Sequence, residues 1–247
     1  MKCVVFDLDG TLVESKQPLL SDMGDRLRGL LRRYDVAVIS GAAWPQFQSQ
    51  LLAQLSCTPD EAARLYLFPT SATSFYMHLD GVWQAVYTEQ LPPDDRTKIF
   101  AAFNQALHDT NFEQPRKTWG PQLEDCGTQV TFSALGQLVP VPVKKTWDPT
   151  FAKRLGVMER LIQLLPEFEV RTGGSTSIDV TKKGIDKKYG IEQIERQLGI
   201  PIAEMVFVGN ALFPGGNDYP VKATGIATVS VTGPAEAMSF IDGLLKA

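Results

Sequence analysis

Two aspartates after a short apolar segment are the residues of this sequence that most clearly suggest chemistry. Residues 3–6, Cys-Val-Val-Phe, form an apolar run typical of a strand buried on both faces of a parallel sheet. Asp7 and Asp9 follow it, and strand periodicity directs both carboxylates to one side. Two close anions repel unless a cation lies between them, so the pair suggests a hard metal such as Mg²⁺. The alternative is an ordinary acidic turn, which Gly10 would permit.

Two further segments carry groups that suit phosphate. Ser40 and Gly41 follow the apolar run 35–39, and a hydroxyl with backbone N–H groups at a strand end can hold a phosphoryl oxygen. Most such pairs simply make turns. Residues 181–189 contain five ionisable side chains, which favours a solvated loop, although phosphoryl transfer also needs a cation beside its nucleophile.

Oxygen ligands also follow the apolar run 204–208. Residues 209–218 supply Asn210, Asn217 and Asp218, whose carboxamide and carboxylate oxygens suit Mg²⁺. A glycine-rich turn with a helix-capping aspartate is the alternative interpretation of this segment.

The composition is that of an ordinary globular protein, with 247 residues of which 44% are hydrophobic and 21% charged. The formal net charge is −4 without a basic block, so nucleic acid and membranes are not expected partners. No apolar run approaches the ~20 residues that span a bilayer, and the chain begins in a predicted strand and not in a signal peptide. The three cysteines form no Cys-x-x-Cys pair. We therefore expect a cytoplasmic monomer or homodimer with reduced thiols.

Apolar periodicity predicts an α/β fold with an inserted domain. Five buried strands, separated by helices, predict a Rossmann-like parallel sheet: residues 3–6, 35–39, 65–68, 204–208 and 225–231. Residues 84–182 instead read helix, strands, helix, strands, with an extended piece at 139–143 and a helix opened by Asp148. That order favours an α+β module with an antiparallel sheet. We predict a core of residues 1–83 and 183–247 and an insert of residues 84–182.

The string Phe-Asp-Leu-Asp-Gly-Thr-Leu at residues 6–12 resembles the signature of the haloacid dehalogenase (HAD) superfamily, most of whose members transfer phosphate. The resemblance implies that Asp7 attacks phosphorus and that Asp9 is the general acid and base. It also implies that Mg²⁺ is the cofactor and that the core has the fold predicted above.

The remaining HAD motifs resemble the other polar segments. Ser40 matches the second motif, and Lys187, three residues after a glycine, matches the third. Asn210 and Asp218 match the metal-binding fourth motif, which implies that they hold the metal or its water shell and that Asn217 orients Lys187 or the metal. Asn210 departs from the pattern, because many relatives carry aspartate there.

Residues 173–189 and 214–218 resemble the eukaryotic-type phosphomannomutases within that superfamily. The resemblance implies that the insert is an α+β (type IIB) cap, attached between the second and third motifs. It also implies that Ser177 and Asp179 contact sugar hydroxyls.

The cap also departs from the mutase pattern. Phosphomannomutases carry arginines on the cap strands that clamp the phosphate remote from the metal, and Cys126 and Gln137 stand at about those positions here. Planar arginine forks hold a phosphate better than lysine does, so Lys144 or Lys145 would be a weaker substitute.

We therefore predict a Mg²⁺-dependent enzyme, a phosphatase that hydrolyses a small phosphorylated metabolite, a sugar phosphate, through an aspartyl-phosphate. A phosphomannomutase is the first alternative, and a non-catalytic sugar-phosphate binding module is the second. The predicted catalytic residues are Asp7, Asp9 and Lys187, and the predicted phosphate-binding residues are Ser40, Gly41 and Lys187. The predicted metal ligands are Asp7, Asp9, Asn210 and Asp218, and Asn217 is predicted to orient Lys187 or the metal. Ser177 and Asp179 are predicted to bind the substrate.

Overall fold

The computed structural model describes residues 1–246, apart from the side chain of residue 145. The chain divides into two compact units: residues 1–88 together with the chain from Asp186 onward, and Glu89–Ile185. The second unit therefore begins and ends a few residues later in the chain than the predicted insert, which spans residues 84–182. No helix among the described residues is both long and apolar enough to cross a membrane.

The strands are, in chain order, β1 (Cys3–Phe6), β2 (Asp35–Ile39), β3 (Leu65–Phe68), β4 (Ser74–Leu79), β5 (Val82–Thr88), β6 (Leu123–Asp125), β7 (Val130–Ser133), β8 (Phe168–Gly173), β9 (Ser177–Lys182), β10 (Met205–Gly209) and β11 (Ala227–Ser230). The α-helices are α1 (Ser21–Leu31), α2 (Trp44–Gln46), α3 (Ala53–Leu55), α4 (Pro59–Ala62), α5 (Pro93–Asp109), α6 (Val141–Trp147), α7 (Ala152–Leu164), α8 (Lys187–Leu198) and α9 (Pro234–Lys246). A π-helical turn at Phe47–Leu52 joins α2 to α3.

The first unit is built on a seven-stranded sheet in the order β11-β10-β1-β2-β3-β4-β5. The five strands from β11 to β3 are parallel, and β4 and β5 extend the sheet as an antiparallel hairpin. Val4 and Phe6 of β1 pack in the core on one face, and Cys3 and Val5 pack in the core on the other. Burial on both faces explains why β1 is apolar at every position. The predicted parallel core is therefore confirmed.

The second unit contains a separate four-stranded antiparallel sheet in the order β6-β7-β9-β8. Its apolar face, which includes Phe132 and Ile178, packs in one hydrophobic core with Phe103 of α5 and Leu161 of α7. The opposite face carries polar side chains, because residues alternate along each strand. A mostly parallel sheet in one unit and a separate antiparallel sheet in the other are the architecture expected for a HAD core with a cap, so the predicted fold class is confirmed.

Two local predictions are wrong. Residues 139–143 are not extended: α6 begins at Val141, because proline is tolerated at the start of a helix, where its missing N–H has no partner to lose. Residues 181–189 are not a solvated loop, because β9 continues to Lys182 and α8 begins at Lys187. Asp186 caps that helix by accepting a hydrogen bond from the Tyr189 N–H at 3.0 Å.

Candidate active site

The carboxyl ends of β1, β2 and β10 meet at one edge of the parallel sheet, where ligands bind in open α/β folds. Asp7 follows β1 directly, and its N–H donates to the Val208 carbonyl of β10 at 3.0 Å. The side chain of Asp7 is buried, although it carries a formal charge. Burying a carboxylate is costly unless it is paired, so the partners of Asp7 define the site.

Lys187 joins two carboxylates at this edge. Its Nζ donates to Asp7 Oδ1 at 2.5 Å and to Asp218 Oδ1 at 2.6 Å, and all three side chains are at most 3% exposed. Asp7 follows β1, Lys187 begins α8 and Asp218 lies in the loop after β10, so the three residues are far apart in the sequence. The structure thus brings three of the predicted site residues into direct contact.

A glycine allows the lysine-bearing helix to approach the sheet. A Cβ at Gly190, in the first turn of α8, would lie 2.8 Å from Ile39 Cδ1 and 3.0 Å from Ala72 Cβ. These distances are shorter than ordinary carbon contacts, so only glycine fits without a shift of its neighbours.

The carboxylate oxygens of Asp7 and Asp218 that do not contact Lys187 also have hydrogen-bond partners. Thr11 Oγ1 donates to Asp7 Oδ2 at 2.9 Å, and the Ala211 N–H donates to Asp218 Oδ2 at 2.8 Å. A Cβ at position 209 would collide with the Asp218 carboxylate, so Gly209 makes room for it. Sequence reasoning did not assign a role to Thr11, although it lies within the signature string.

The pKa values at this cluster follow from burial and charge. Burial raises the pKa of Asp7 to about 7, and the ammonium of Lys187 is the largest opposing influence. Burial by itself would lower the pKa of Lys187, but the carboxylates of Asp218 and Asp7 outweigh it and raise that pKa. Lys187 therefore remains charged and favours the ionised, nucleophilic form of Asp7.

Asp9 lies at a tight turn that Asn210 approaches closely. Asp9 Oδ1 accepts a hydrogen bond from the Lys16 N–H at 2.5 Å, and Gly10 adopts a φ of +85°. A Cβ at Gly10 would lie 2.5 Å from Asn210 Nδ2, so the glycine also lets Asn210 approach. Thr11 Oγ1 is 3.4 Å from Asn210 Oδ1, which connects Asn210 to the Asp7 cluster.

Ser40 is buried at the end of β2, next to β1 in the sheet. Its Oγ accepts a hydrogen bond from the Ala42 N–H at 3.2 Å, and its carbonyl accepts one from the Ser71 N–H at 2.8 Å. Ser71 is left-handed, with a φ of 59°, and such backbone is uncommon outside glycine. The segment that follows Ser40, including Gly41, is therefore anchored from a neighbouring loop.

The side chains suit Mg²⁺ in donor type. Asp7 and Asp218 offer carboxylate oxygens and Asn210 offers a carboxamide oxygen, and Asp7 Oδ2 and Asn210 Oδ1 both lie within hydrogen-bonding distance of Thr11 Oγ1. Within residues 1–246, no three His, Cys, Asp or Glu side chains form a metal cluster, because Lys187 lies between two carboxylates and position 210 is an amide. Asn217 is half-buried beside Asp218, and its orienting role stays a prediction.

The polar face of the second unit's sheet contains the two predicted substrate residues. Asp179 Oδ1 accepts a hydrogen bond from Thr131 Oγ1 at 2.7 Å, and the hydroxyls of Ser177 and Ser133 are 2.9 Å apart. Sequence reasoning did not single out Thr131 or Ser133, although both alternate with the apolar residues of β7 and share the face that carries Asp179.

The charge on this polar face is predominantly negative. Cross-strand register places Glu124 opposite Thr131 and Arg171 opposite Asp179, so all four lie on the same face. Arg171 Nη2 is 2.9 Å from Glu169 Oε1. The face therefore carries three carboxylates and one guanidinium.

Comparisons with known proteins agree with this architecture. The family described as Eukaryotic phosphomannomutase matches residues 146–247. A phosphomannomutase of Encephalitozoon cuniculi is 25% identical over 250 residues, which cover 98% of this chain and 93% of that protein.

Solved structures match the fold at low identity. Plasmodium falciparum IMP-nucleotidase, solved with IMP bound, superposes with a TM-score of 0.76 at 13% identity, over 100% of this chain and 68% of that chain. A haloacid dehalogenase-like hydrolase of Bacteroides thetaiotaomicron gives a TM-score of 0.60 at 15% identity, over 97% of this chain and 99% of that chain. The chain therefore has a HAD-like fold and is related to the eukaryotic phosphomannomutases.

Proposed function

We propose that this protein, a HAD-like chain related to the eukaryotic phosphomannomutases, is a Mg²⁺-dependent phosphatase that acts on a small phosphorylated metabolite, a sugar phosphate. The observation that carries the proposal is the buried ion-pair cluster in which Lys187 contacts both Asp7 and Asp218. A structural ion pair would not require a second aspartate two residues on, nor polar groups at three adjacent strand ends. The phosphoryl transfer proposed here uses both.

In the proposed reaction Asp7 is the nucleophile. Its carboxylate forms a bond to phosphorus while the bond from phosphorus to the sugar oxygen breaks, and Asp9 donates a proton to that oxygen. Asp9 then accepts a proton from water, the water oxygen attacks phosphorus, and the bond to Asp7 breaks. Inorganic phosphate leaves and the enzyme returns to its starting state.

The neighbouring groups hold the phosphoryl group and the nucleophile. Lys187 favours the ionised form of Asp7 and holds its side chain in place, and the hydroxyl of Ser40 with the N–H of Gly41 binds a phosphoryl oxygen. Asp7, the Asp9 carbonyl, Asn210 and Asp218 would hold Mg²⁺, which would neutralise the negative charge of the phosphoryl group.

Hydrolysis is favoured over mutase activity by the charge of the second unit's polar face. A mutase must hold a bisphosphate by one phosphate while the other reacts, and this requires cations. Glu124, Asp179 and Glu169 outnumber Arg171 on that face, so a second phosphate would be repelled. Hydroxyl groups, in contrast, can donate hydrogen bonds to Asp179, which supports a sugar with a single phosphate as the substrate.

Phosphomannomutase is the second candidate, because the relatives that match almost the whole chain carry that name. A non-catalytic sugar-phosphate binding module is the third. Binding alone would not require a general acid and base, which is the role proposed for Asp9.

Phosphate release from a panel of sugar phosphates, with and without Mg²⁺, tests the proposal. The panel includes mannose 1-phosphate and a generic aryl phosphate. We expect Asp7→Asn to lower turnover at least about a thousandfold, because no neighbouring group can replace the nucleophile. A matched change at the surface, Asp60→Asn, should leave turnover unaltered. Near-normal release by the Asp7→Asn variant would end the covalent mechanism, and no release by the wild-type protein would favour the binding module.

A further inference from the structure

A fully buried arginine holds the end of the β8–β9 hairpin. Arg154, in the first turn of α7, has an exposed fraction of 0%. Its Nη1 donates to the carbonyls of Gly173 at 2.9 Å, Gly174 at 3.1 Å and Ser177 at 2.8 Å. One guanidinium therefore connects the last residue of β8, the turn and the first residue of β9.

The guanidinium is itself fixed by a buried carboxylate. Arg154 Nε donates to Asp148 Oδ2 at 2.8 Å, and Asp148 Oδ1 accepts the Lys153 N–H at 3.1 Å. The Arg154 guanidinium carbon also lies 4.8 Å from the centre of the Phe151 ring. Burying a charged pair is costly, and here the guanidinium offsets part of that cost through contacts that an apolar side chain could not make. The three hairpin carbonyls are such contacts.

The hairpin needs this support because its end is rich in glycine. A Cβ at position 173 would collide with the Asp179 carboxylate, so Asp179 can lie against β8 only when residue 173 is glycine. Gly174 adds a left-handed turn with a φ of 33°. Two consecutive glycines leave the backbone of this turn flexible. Ser177 and Asp179 are the first and third residues of β9, the strand that follows the turn.

We propose that Arg154, oriented by Asp148, is a positioning residue for sugar recognition: it fixes the hairpin backbone so that Ser177 and Asp179 present their side chains to substrate hydroxyls. This inference rests on the proposed function, because it assumes that those two residues contact the sugar. It assigns the specificity for the sugar to a buried ion pair that itself does not touch the substrate.

The test compares Arg154→Lys with Arg160→Lys, a matched change on the same helix, where Arg160 pairs with Asp109 at the surface. Lysine keeps the charge beside Asp148 but cannot reach the carbonyls with a planar fork. We expect Arg154→Lys to raise KM for mannose 1-phosphate at least about fivefold, with kcat changed less than about twofold. Both constants for a generic aryl phosphate, which has no sugar hydroxyls, should stay within about twofold of wild type. Amide hydrogen exchange should accelerate at residues 173–179 in this variant alone.

Each outcome separates the inference from the proposed function. Unchanged KM for mannose 1-phosphate, or an equal loss on both esters together with a lower melting temperature, overturns the role of Arg154 alone. Absence of phosphate release from either ester by the wild-type protein overturns the proposed function, and the inference with it. If Arg154→Lys does not fold, Asp148→Asn takes its place, because it keeps an acceptor for the Lys153 N–H while removing the charge that orients the guanidinium.

Discussion

Replacing Lys187 with methionine is the perturbation whose size the structure defines best. The ammonium lies 2.5 Å from Asp7 and 2.6 Å from Asp218, and none of the three side chains is more than 3% exposed. Its removal leaves the carboxylates of Asp7 and Asp218 buried without the cation that pairs with both of them. Breaking a buried ion pair by removing one partner costs about 3–5 kcal/mol. We expect Lys187→Met to lower the free energy of unfolding by that amount.

Urea denaturation in EDTA at neutral pH measures this loss, since EDTA removes any metal that would otherwise bind the two carboxylates. Activity should fall at least about a hundredfold, because the nucleophile loses both its orientation and the charge that keeps it ionised. Lys188→Met is the matched control: the side chain of Lys188 is 44% exposed, and its ammonium pairs with Glu192 on the helix surface. Such pairs are worth roughly 0–1 kcal/mol.

A Lys187→Met variant as stable and as active as Lys188→Met would refute the reasoning. It would show that the buried cluster neither stabilises the core nor prepares Asp7 for attack. A Lys187→Met variant that loses stability but retains turnover would show that Lys187 stabilises the fold and has no role in catalysis.

Three further predictions concern the metal, a helix cap and the packing of α8. EDTA should abolish activity. Asn210→Asp should lower the Mg²⁺ concentration that gives half of the full activity about tenfold, because it adds an anionic ligand. If that Mg²⁺ concentration does not change, residue 210 does not contact the metal. Burial would raise the pKa of Glu61, but hydrogen bonds from the Thr58 N–H and from Arg32 outweigh it and lower that pKa. Glu61 thus stabilises the fold above its ordinary pKa of about 4.3, so the stability difference from Glu61→Gln should shrink as the pH falls, as acid-dependent denaturation would measure. Gly190→Ala should lower the free energy of unfolding by about 1–3 kcal/mol, because Ile39 and Ala72 leave no room for a Cβ. Thermal denaturation measures this change, and an unaltered melting temperature would contradict the prediction.

The parallel core was predictable because its signals are local. A strand buried on both faces must be apolar throughout, as at Cys3–Phe6, and polar residues that end such strands must meet at one edge of the sheet. The sequence therefore predicts that Asp7 and Asp218 lie near each other.

The partners within the site were less predictable, because they depend on tertiary approach. The lysine-rich segment looks solvated by composition, and only the packing of α8 against β2 and the Asp186 cap brings Lys187 into the interior. Asp186 at the cap position was a signal that the sequence did contain. Thr11 likewise became a site residue only through the direction of its hydroxyl.

The second unit shows a similar limit. Val141 and Pro142 favour extended backbone by propensity, but proline in a first helical turn costs little, so α6 forms. Arg154 would be placed on a helix surface by its charge. Its burial depends on three carbonyls about 20 residues later in the chain, and no periodicity can reveal them.

The fate of the phosphoryl group tests the central proposal most directly. Mannose 1-phosphate is supplied with Mg²⁺ and a catalytic amount of a hexose bisphosphate, and inorganic phosphate and mannose 6-phosphate are measured together. Because the polar face of the second unit is predominantly negative, we expect inorganic phosphate to exceed mannose 6-phosphate. Arginines introduced together at Cys126 and Gln137 should shift the ratio toward mannose 6-phosphate, since each fork can hold a phosphate. Interconversion of the two monophosphates by the wild-type protein with little phosphate release would contradict the account and make the enzyme a mutase.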